Sequence, residues 1–427
     1  MKKVLLLAAL IPQIILSCNG ASVTSENRAI EEFDQFVSGV AGFISDEIKP
    51  LVSFIEQNNT SPVDYIMELF EKYDVVVLGE RDHRDMTQYD LIQQIISDTR
   101  FIEQVGHILI EVGAYNMADE LNAVLKGTYS DDDMFDKELV QVIFNMDFMP
   151  LWEKTNYTKL MKDVYLVNKN LPAEKKISVI PTEFPFSWRQ AKTMTGDEFN
   201  TTVLDMWKYK DLIMANNAIN ELYKIFDGNS SRKKVLIIYN TPHSCRYFEN
   251  NDIRYPYFAY QIIADRFPGR VANVMLNWAV VSNEEGYTSL SNDGKIDAAF
   301  AANGYKSIGF DLANTPFGDL LFDIENSLLI SEIKMKDIYH GFIFYKPVLE
   351  WVIGIGVPNL DKIDDVKNEL VRRAQVFDNM KGIRKIIHRT FFKNNEFRYY
   401  STVRTFPMSV EFSEKKYNEQ ISRYYKP

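Results

Sequence analysis

The sequence predicts an α/β protein in which a mostly parallel central sheet is flanked by helices. Short apolar runs typical of buried strands recur along the chain, and segments with apolar residues at helical spacing separate them. The first two runs enclose a predicted helix, and a strand–helix–strand order favours a parallel pair. The predicted strands cover residues 75–78, 108–110, 177–180, 235–239, 271–276, 307–311 and 340–345.

Helical spacing predicts the segments between these strands. Ser61 and Pro62 have the pattern of a helix start, with Ser61 as the N-cap and Pro62 in the first turn. Amphipathic helices are expected before this point, with a break near Pro50. The later predicted helices cover residues 87–98, 116–126, 136–170, 196–226, 257–267 and 358–385.

The composition is that of an ordinary globular protein. Of the 427 residues, 46% are hydrophobic and 25% are charged, and 28 Phe and 23 Tyr can fill a substantial core. This length allows one large domain or two smaller ones. The net charge is −11 and no long basic cluster occurs, which argues against nucleic acid as the main partner.

The N-terminus has the pattern of an export signal. Lys2 and Lys3 precede an apolar run over residues 4–16, which is too short for a comfortable transmembrane helix. The run ends in ILSC (residues 15–18), which resembles the lipobox of bacterial lipoproteins. The resemblance implies cleavage before Cys18 and acylation of this residue. The alternatives are an ordinary signal peptide with an incidental Cys, or an uncleaved anchor.

We therefore expect a protein of the bacterial cell envelope that is lipid-anchored to the membrane, in the periplasm or at the outer-membrane surface. If Cys18 is acylated, Cys245 has no intrachain partner, because the sequence contains two cysteines. The fold must then be held by its core. Cys245 is interpreted as a small buried residue and not as a nucleophile.

The pattern divides the chain into four parts. Residues 1–18 are the lipoprotein signal peptide, and residues 19–60 are a tether followed by N-terminal helices. Residues 61–345 hold all the predicted strands and form the α/β domain. Residues 346–427 are predicted to be a C-terminal helical or irregular extension, a small appendage packed on this domain.

Ionisable side chains follow four of the predicted strands. Glu80 and His83 follow the first strand, Glu111 the second, Glu183 the third and His243 the fourth. Because parallel strands end at one edge of the sheet, we expect these side chains to meet there. Such a set can activate water through a histidine or bind a divalent metal.

Other interpretations apply to single residues of this set. Gly79 is expected to turn the backbone sharply before Glu80. Glu183 is equally compatible with a solvated loop position or a helix N-cap contact. The remaining histidines, His107, His340 and His388, are assigned no role.

Four motifs are similar to those of the erythromycin-esterase family, which belongs to one superfamily with the ChaN-like haem-uptake proteins and the TIKI/TraB-type proteins. GERDH (residues 79–83) resembles the GE-x-x-H signature, and ILIE (residues 108–111) resembles the second element. DLIMANN (residues 211–217) resembles a D-x-x-M-A-x-N element, and NTPH (residues 240–243) resembles an N-x-x-H element. Order and spacing agree over roughly residues 64–345.

The resemblance implies an EreA/ChaN-like fold and an active cleft lined by Glu80, His83, Glu111 and His243. It also implies a hydrolase without a metal, in which His83 is the general base, Glu80 and Glu111 orient or polarise it, and His243 assists the leaving group.

Two departures from the family pattern occur. Arg84 and Asp85 follow His83, where the family often carries Gly and a small residue. Lys210 stands where the family tends to have Arg, so the charge is kept but the bidentate geometry is lost. Arg246 and Arg254 follow the fourth strand and are candidate anion partners, although surface charge is an alternative for both. With Glu183 and Lys210 they form the predicted substrate-binding set.

The sequence thus predicts a membrane-anchored hydrolase that cleaves an ester-type bond in a small molecule and needs no cofactor. One alternative is a surface lipoprotein of the ChaN-like type that binds a divalent metal or haem through Glu80, His83, Glu111 and His243. Another is a relative that has lost catalysis and works through surface contacts.

Overall fold

A computed structural model describes residues 42–146, 155–246, 258–282, 287–323, 333–378 and 403–427. Its strands are β1 (Phe43–Ile44), β2 (Val75–Glu80), β3 (His107–Ala114), β4 (Ser178–Glu183), β5 (Val235–Asn240), β6 (Val271–Leu276), β7 (Ala279–Ser282), β8 (Tyr287–Leu290), β9 (Ile308–Asp311), β10 (Gly341–Phe344), β11 (Val352–Ile355), β12 (Arg404–Pro407) and β13 (Tyr425–Lys426).

The helices alternate with these strands over most of the chain. In chain order they are α1 (Lys49–Gln57), α2 (Pro62–Lys72), α3 (Met86–Ser97), α4 (Thr99–Gln104), α5 (Ala118–Lys126), α6 (Asp132–Met146), α7 (Thr155–Asn168), α8 (Gly196–Phe199), α9 (Asp205–Trp207), α10 (Lys210–Asp227), α11 (Ala259–Arg266), α12 (Lys295–Ala302), α13 (Met335–Ile338), α14 (Val366–Asp378) and α15 (Glu414–Ile421).

Seven strands form the central sheet, in the order β4-β3-β5-β2-β6-β10-β9. The neighbours from β4 to β10 are parallel, and β9 at the edge is antiparallel to β10. This confirms the predicted α/β class with a mostly parallel sheet. Apolar side chains of helices α2 to α7 cover one face, and those of α10 and α11 cover the other. The carboxyl ends of β2, β3, β4 and β5 therefore reach one edge between two helical layers.

Two of the predicted strands continue further than expected. β2 runs through Gly79 to Glu80, and β3 runs through Glu111 to Ala114. The expectation that Gly79 turns the chain is therefore wrong. A Cβ atom at Gly79 would lie 2.9 Å from Ser244 Oγ and 3.2 Å from the carbonyl oxygen of Val274. The glycine is needed because neighbouring elements approach the strand closely, and not because the backbone turns.

Helix predictions were accurate at their start signals and less accurate in long segments. The hydroxyl of Ser61 accepts a hydrogen bond from the backbone N–H of Asp64, as expected for an N-cap. Pro50 lies in the first turn of α1 and does not break a helix. The predicted helix over residues 196–226 is interrupted, because a π-helical turn over Asn200–Leu204 and the short α9 precede α10.

The segments outside the predicted α/β domain pack against it. β1 pairs with β13, so residues near both ends of the described chain are hydrogen-bonded to each other. β11 pairs with β12, and Trp351 shares a small apolar core with Met408 and Phe412. The boundary expected at residue 345 stays a prediction.

The predicted signal segment and Cys18 lie outside the described residues. Within the described ranges, the helices are too short or too polar to cross a membrane.

Candidate active site

Glu80 and Glu111 approach the carboxyl edge of the sheet from opposite faces. Alternation along β2 puts Glu80 on the same face as Leu78, which packs in the core with α3 and α7. Alternation along β3 puts Glu111 on the same face as Leu109, which packs with α10. Both carboxylates are 1% exposed. The edge between them is where the two predicted histidines meet.

Glu80 and Tyr157 hold the His83 imidazole in place. His83 Nδ1 lies 3.0 Å from Glu80 Oε2 and 2.8 Å from the Tyr157 hydroxyl oxygen. Glu80 also accepts hydrogen bonds from the Tyr89 hydroxyl at 2.6 Å and from Asn156 Nδ2 at 3.4 Å. Because a carboxylate can only accept, this arrangement assigns the proton of neutral His83 to Nδ1. Nε2 is then the basic nitrogen.

The surroundings of His83 favour its charged form. Burial on its own lowers the pKa of His83, but the charge and hydrogen bond of Glu80, together with the charge of Glu111, outweigh burial. The pKa of His83 is therefore raised from its ordinary value.

One oxygen of Glu111 links the two halves of the site. Lys210 Nζ lies 2.7 Å from Glu111 Oε1, His243 Nε2 lies 3.4 Å from it, and His83 Nε2 lies 3.9 Å from it. The other oxygen accepts the backbone N–H of Asn240 at 2.8 Å. Burial raises the pKa of Glu111, but Lys210 and His243 overcome this and lower it well below its ordinary value. Glu111 is therefore ionised at neutral pH.

His243 is held between two carboxylates. It lies in a 3-10 turn, Thr241–Ser244, directly after β5, and its Nδ1 is 2.9 Å from Asp211 Oδ1. Burial lowers the pKa of His243, but Asp211 and Glu111 raise it to about 10. This residue is therefore an imidazolium at neutral pH.

Lys210 forms ion pairs with both Glu111 and Glu183. Glu183 is fully buried, which excludes the solvated loop position, and its Oε1 lies 3.1 Å from Lys210 Nζ. Its Oε2 accepts the N–H of Gly113 at 3.2 Å. Gly113 has a φ of +110° at an irregularity in β3, a conformation that other residues rarely adopt. Lys210 is 6% exposed, and the prediction that Glu183 and Lys210 bind a substrate stays a prediction.

Arg246 lies away from this site. Arg246 lines a separate cavity of about 400 Å³ together with Tyr73 and Val271, which stand at the amino ends of β2 and β6. The chain turns back after Ser244, and Arg246 N–H donates to the Ile338 carbonyl oxygen at 3.4 Å. The structure therefore places Arg246 away from Glu80, His83, Glu111 and His243, and its contact with a substrate stays a prediction. Arg254 lies outside the described residues.

Cys245 agrees with its interpretation as a buried structural residue. Its thiol donates to the carbonyl oxygen of Thr241, with Sγ 3.1 Å from that oxygen. Burial raises the pKa of the Cys245 thiol to about 12, so the nucleophilic thiolate is scarce at neutral pH.

Sequence reasoning missed four polar partners of the site residues. Tyr89, Asn156 and Tyr157 bind Glu80 from α3 and α7, and each lies on a helix face that also carries core residues. Asp211 belongs to the DLIMANN motif, but it had been given no role. The motif was the one signal that could have pointed to Asp211 as the partner of His243.

Three residues could hold a metal ion. Glu80, His83 and Glu111 each offer one ligand atom, and these atoms lie within 4.8 Å of one another. Carboxylate and imidazole donors suit a divalent cation. However, Lys210 already places a positive charge 2.7 Å from Glu111 Oε1, which would repel a second cation. The donor atoms fit a metal in their spacing, while the charge balance disfavours one.

No family model and no curated protein matches this chain. Among solved structures, a mutant of the erythromycin esterase EreC in its open conformation is similar, with a TM-score of 0.40, 10% identity, and coverage of 71% of this chain and 97% of that chain. The structure of cofacial heme binding to ChaN of Campylobacter jejuni has a TM-score of 0.32, 15% identity, and coverage of 57% and 94% respectively. A protein from Bacillus cereus has a TM-score of 0.38, 13% identity, and coverage of 74% and 96%. Because these scores and identities are low, function has to be argued from the site itself.

Proposed function

We propose that this chain is a hydrolase in which His83 activates water to attack an ester-type bond in a small molecule. The observation that carries the proposal is the Glu80–His83 pair. The carboxylate is 1% exposed and lies 3.0 Å from Nδ1, whereas the imidazole is 20% exposed. A buried carboxylate that orients a partly exposed histidine is the arrangement expected of a general base.

The proposed reaction begins when a water molecule donates a hydrogen bond to His83 Nε2. Nε2 takes this proton as the water oxygen attacks the carbonyl carbon, and the carbonyl oxygen becomes negative. Collapse of the tetrahedral intermediate breaks the bond to the leaving oxygen, and the proton on Nε2 passes to that oxygen. Glu80 stabilises the imidazolium of His83 between the two proton transfers.

His243 has a different role in this proposal from the one expected from sequence. With a pKa of about 10, it holds its proton too firmly to exchange it readily at neutral pH. A fixed positive charge of this kind stabilises a developing oxyanion. His243 is therefore assigned to the negative carbonyl oxygen, and Asp211 and Glu111 keep it charged and oriented.

The test is a screen of ester substrates with wild-type protein and the His83→Ala variant. His107→Ala is the matched control, because His107 is the first residue of β3 and lies four positions before Glu111, towards the amino end of the strand. We expect hydrolysis of at least one ester by wild type and by His107→Ala, with loss of turnover in His83→Ala. Unchanged turnover in His83→Ala would show that His83 is not the general base.

A second candidate function is binding of a divalent metal or haem, and the cluster of Glu80, His83 and Glu111 favours it. Elemental analysis and an absorption spectrum of protein purified without chelator test this candidate. A stoichiometric metal or a Soret band that is lost in His83→Ala would support it. Protein that stays free of metal and haem after incubation with each would contradict it.

We further propose that the protein is anchored to the membrane of the cell envelope through acylated Cys18, as the lipobox-like ILSC segment suggests. The mass of the N-terminal peptide from the membrane fraction tests this, with Cys18→Ala as the comparison. A wild-type peptide that begins at Cys18 and carries acyl chains is expected. An unmodified Cys18 in mature protein would overturn the proposal.

A further inference from the structure

Arg84, the residue directly after His83, is held by two carboxylates at once. Its Nε and Nη2 lie 3.0 and 2.7 Å from the two oxygens of Asp82. Its Nη1 and Nη2 both lie 3.0 Å from the two oxygens of Glu411. Both pairs are bidentate, which fixes geometry as well as adding energy. The Arg84 and Glu411 side chains are 22% and 15% exposed, so water screens this pair less than a surface ion pair.

Backbone hydrogen bonds tie the same loop to residues near β11. The carbonyl oxygen of Arg84 accepts the N–H of Gly354 at 2.8 Å, and the hydroxyl of Thr87 accepts the N–H of Val352 at 2.8 Å. On the other side, the hydroxyl of Thr155 donates to the carbonyl oxygen of Gly356 at 3.0 Å. Thr155 begins α7, the helix that carries Tyr157. This short stretch therefore contacts both the His83 loop and the helix that binds His83.

Glu411 is itself fixed by the core around Trp351. The N–H of Met408 donates to the carbonyl oxygen of Trp351 at 2.7 Å, and the N–H of Glu411 donates to the carbonyl oxygen of Met408 at 2.8 Å. Met408 and Phe412 are fully buried in the same apolar cluster. Residues 351–356 and 404–412 together are called the C-terminal clamp below. The clamp presents the Glu411 carboxylate to Arg84 from a rigid base.

We propose that Glu411 is a positioning residue that keeps His83 in its active orientation by binding Arg84. This inference rests on the proposed function of His83. The imidazole is held at Nδ1 by Glu80 and Tyr157, and the backbone on its C-terminal side is held by the clamp. Release of Arg84 lets the loop shift relative to Glu80, and small shifts in reacting geometry reduce turnover strongly.

The test compares Glu411→Gln with Glu414→Gln, a matched change at an exposed glutamate at the start of α15. The first measurement is the pair of imidazole ¹⁵N chemical shifts of His83 at fixed pH. The chain has five histidines, and His83→Gln identifies the His83 signals. We expect both His83 shifts to move in Glu411→Gln and to stay in place in Glu414→Gln. Unchanged His83 shifts in folded Glu411→Gln would overturn the proposal.

The second measurement uses a double-mutant cycle with Arg84→Gln. If Glu411 acts through Arg84, adding Glu411→Gln to Arg84→Gln produces no further change in the His83 shifts. Additive changes would contradict the proposal. With a hydrolysed ester, Glu411→Gln should lower kcat about tenfold and leave KM within about twofold. A loss confined to KM would also contradict it.

The chemical shifts need no turnover, so this inference can fail or hold independently of the hydrolase proposal. If Glu411→Gln does not fold, as judged by circular dichroism, Glu411→Asp replaces it. Aspartate keeps the charge but its shorter side chain weakens the bidentate contact, so we expect smaller movements of the same His83 signals. Folded Glu411→Asp with unmoved His83 signals would then overturn the proposal.

Discussion

His83 and His243 occupy similar positions but lie at different distances from their carboxylates. Each follows the carboxyl end of a parallel strand, and each side chain is 20% exposed. His83 Nδ1 lies 3.0 Å from Glu80, which also accepts hydrogen bonds from neutral donors, and His83 Nε2 lies 3.9 Å from Glu111. His243 has carboxylates near both ring nitrogens, at 2.9 Å from Asp211 and 3.4 Å from Glu111. Burial lowers the pKa of His243, but Asp211 and then Glu111 raise it to about 10.

The comparison shows how one residue type can provide two chemical functions at one sheet edge. Environments that push the pKa values of two groups apart separate their roles in catalysis. Glu111 joins the environments, because both Nε2 atoms face its Oε1, and Lys210 keeps Glu111 ionised. Each prediction below changes one histidine or its surroundings and leaves the other histidine unchanged.

The largest effect is expected from Glu80→Gln. The neutral amide does not stabilise the His83 imidazolium, and its NH₂ group can favour the other tautomer, with the proton on Nε2. We expect kcat for a hydrolysed ester to fall about 10³-fold, within the range of general-base contributions. Glu103→Gln, in the exposed part of α4, is the control and should keep wild-type kcat. A loss of kcat smaller than fivefold would show that Glu80 does not take part in the reaction.

His243→Gln removes the positive charge of the second histidine. We expect kcat to fall about 10²-fold, since loss of one oxyanion-stabilising donor has effects of this size. The alkaline decline of kcat, expected near pH 10 from the pKa of about 10 of His243, should also disappear. Steady-state kinetics between pH 6 and 11 measure both, with the pH range chosen around that pKa. An unchanged alkaline limb would assign that limb to another group.

The two histidines also illustrate what the sequence could predict. Apolar runs identified the strands, and the ionisable residues at their ends led to Glu80, His83, Glu111 and His243. Their convergence follows from parallel pairing, which local patterns predict well. The structure places Arg246 away from these four residues, because the chain turns back towards the amino ends of the strands after His243. A turn back after Ser244 leaves no mark in periodicity or composition.

The polar partners of the site residues were harder to find. Tyr157 occupies a helix face whose spacing is that of core residues, so the contact of its hydroxyl depends on how α7 is rotated. Glu411 is 327 positions from Arg84, and a single long-range ion pair has no local pattern. Tertiary packing decides both contacts. The sequence therefore indicates the reacting groups. It indicates less readily the groups that set their orientation and pKa.

Stability should depend on pH through His243. A folded-state pKa of about 10, raised from 6.5, gives stability that is fully present below pH 6.5 and is lost as pH rises towards 10. We expect the free energy of unfolding to fall by a few kcal/mol over this interval in wild type, and by much less in His243→Gln. Urea unfolding at several pH values measures this.

His107→Gln is the control for this measurement, because burial lowers the pKa of His107 to about 4. Its contribution to stability therefore changes below pH 6.5 and leaves the interval above it unaffected. If His243→Gln keeps the wild-type slope between pH 6.5 and 10, the high pKa of His243 is refuted.

The smallest effect is expected from Tyr157→Phe. This change removes a hydroxyl that lies 2.8 Å from His83 Nδ1 and 3.3 Å from Glu80 Oε2, and it keeps the ring in the core. One such hydrogen bond is worth about 1 kcal/mol, so kcat should fall about fivefold. Tyr165→Phe on the same helix is the control, because its ring stacks on Phe135 in the core around α6 and α7. In Tyr157→Phe, Glu80 alone still orients His83. A loss of kcat as large as that in Glu80→Gln would therefore mean that the hydroxyl, and not the carboxylate, holds His83. The contrast between the two histidines would then have to be attributed to Tyr157.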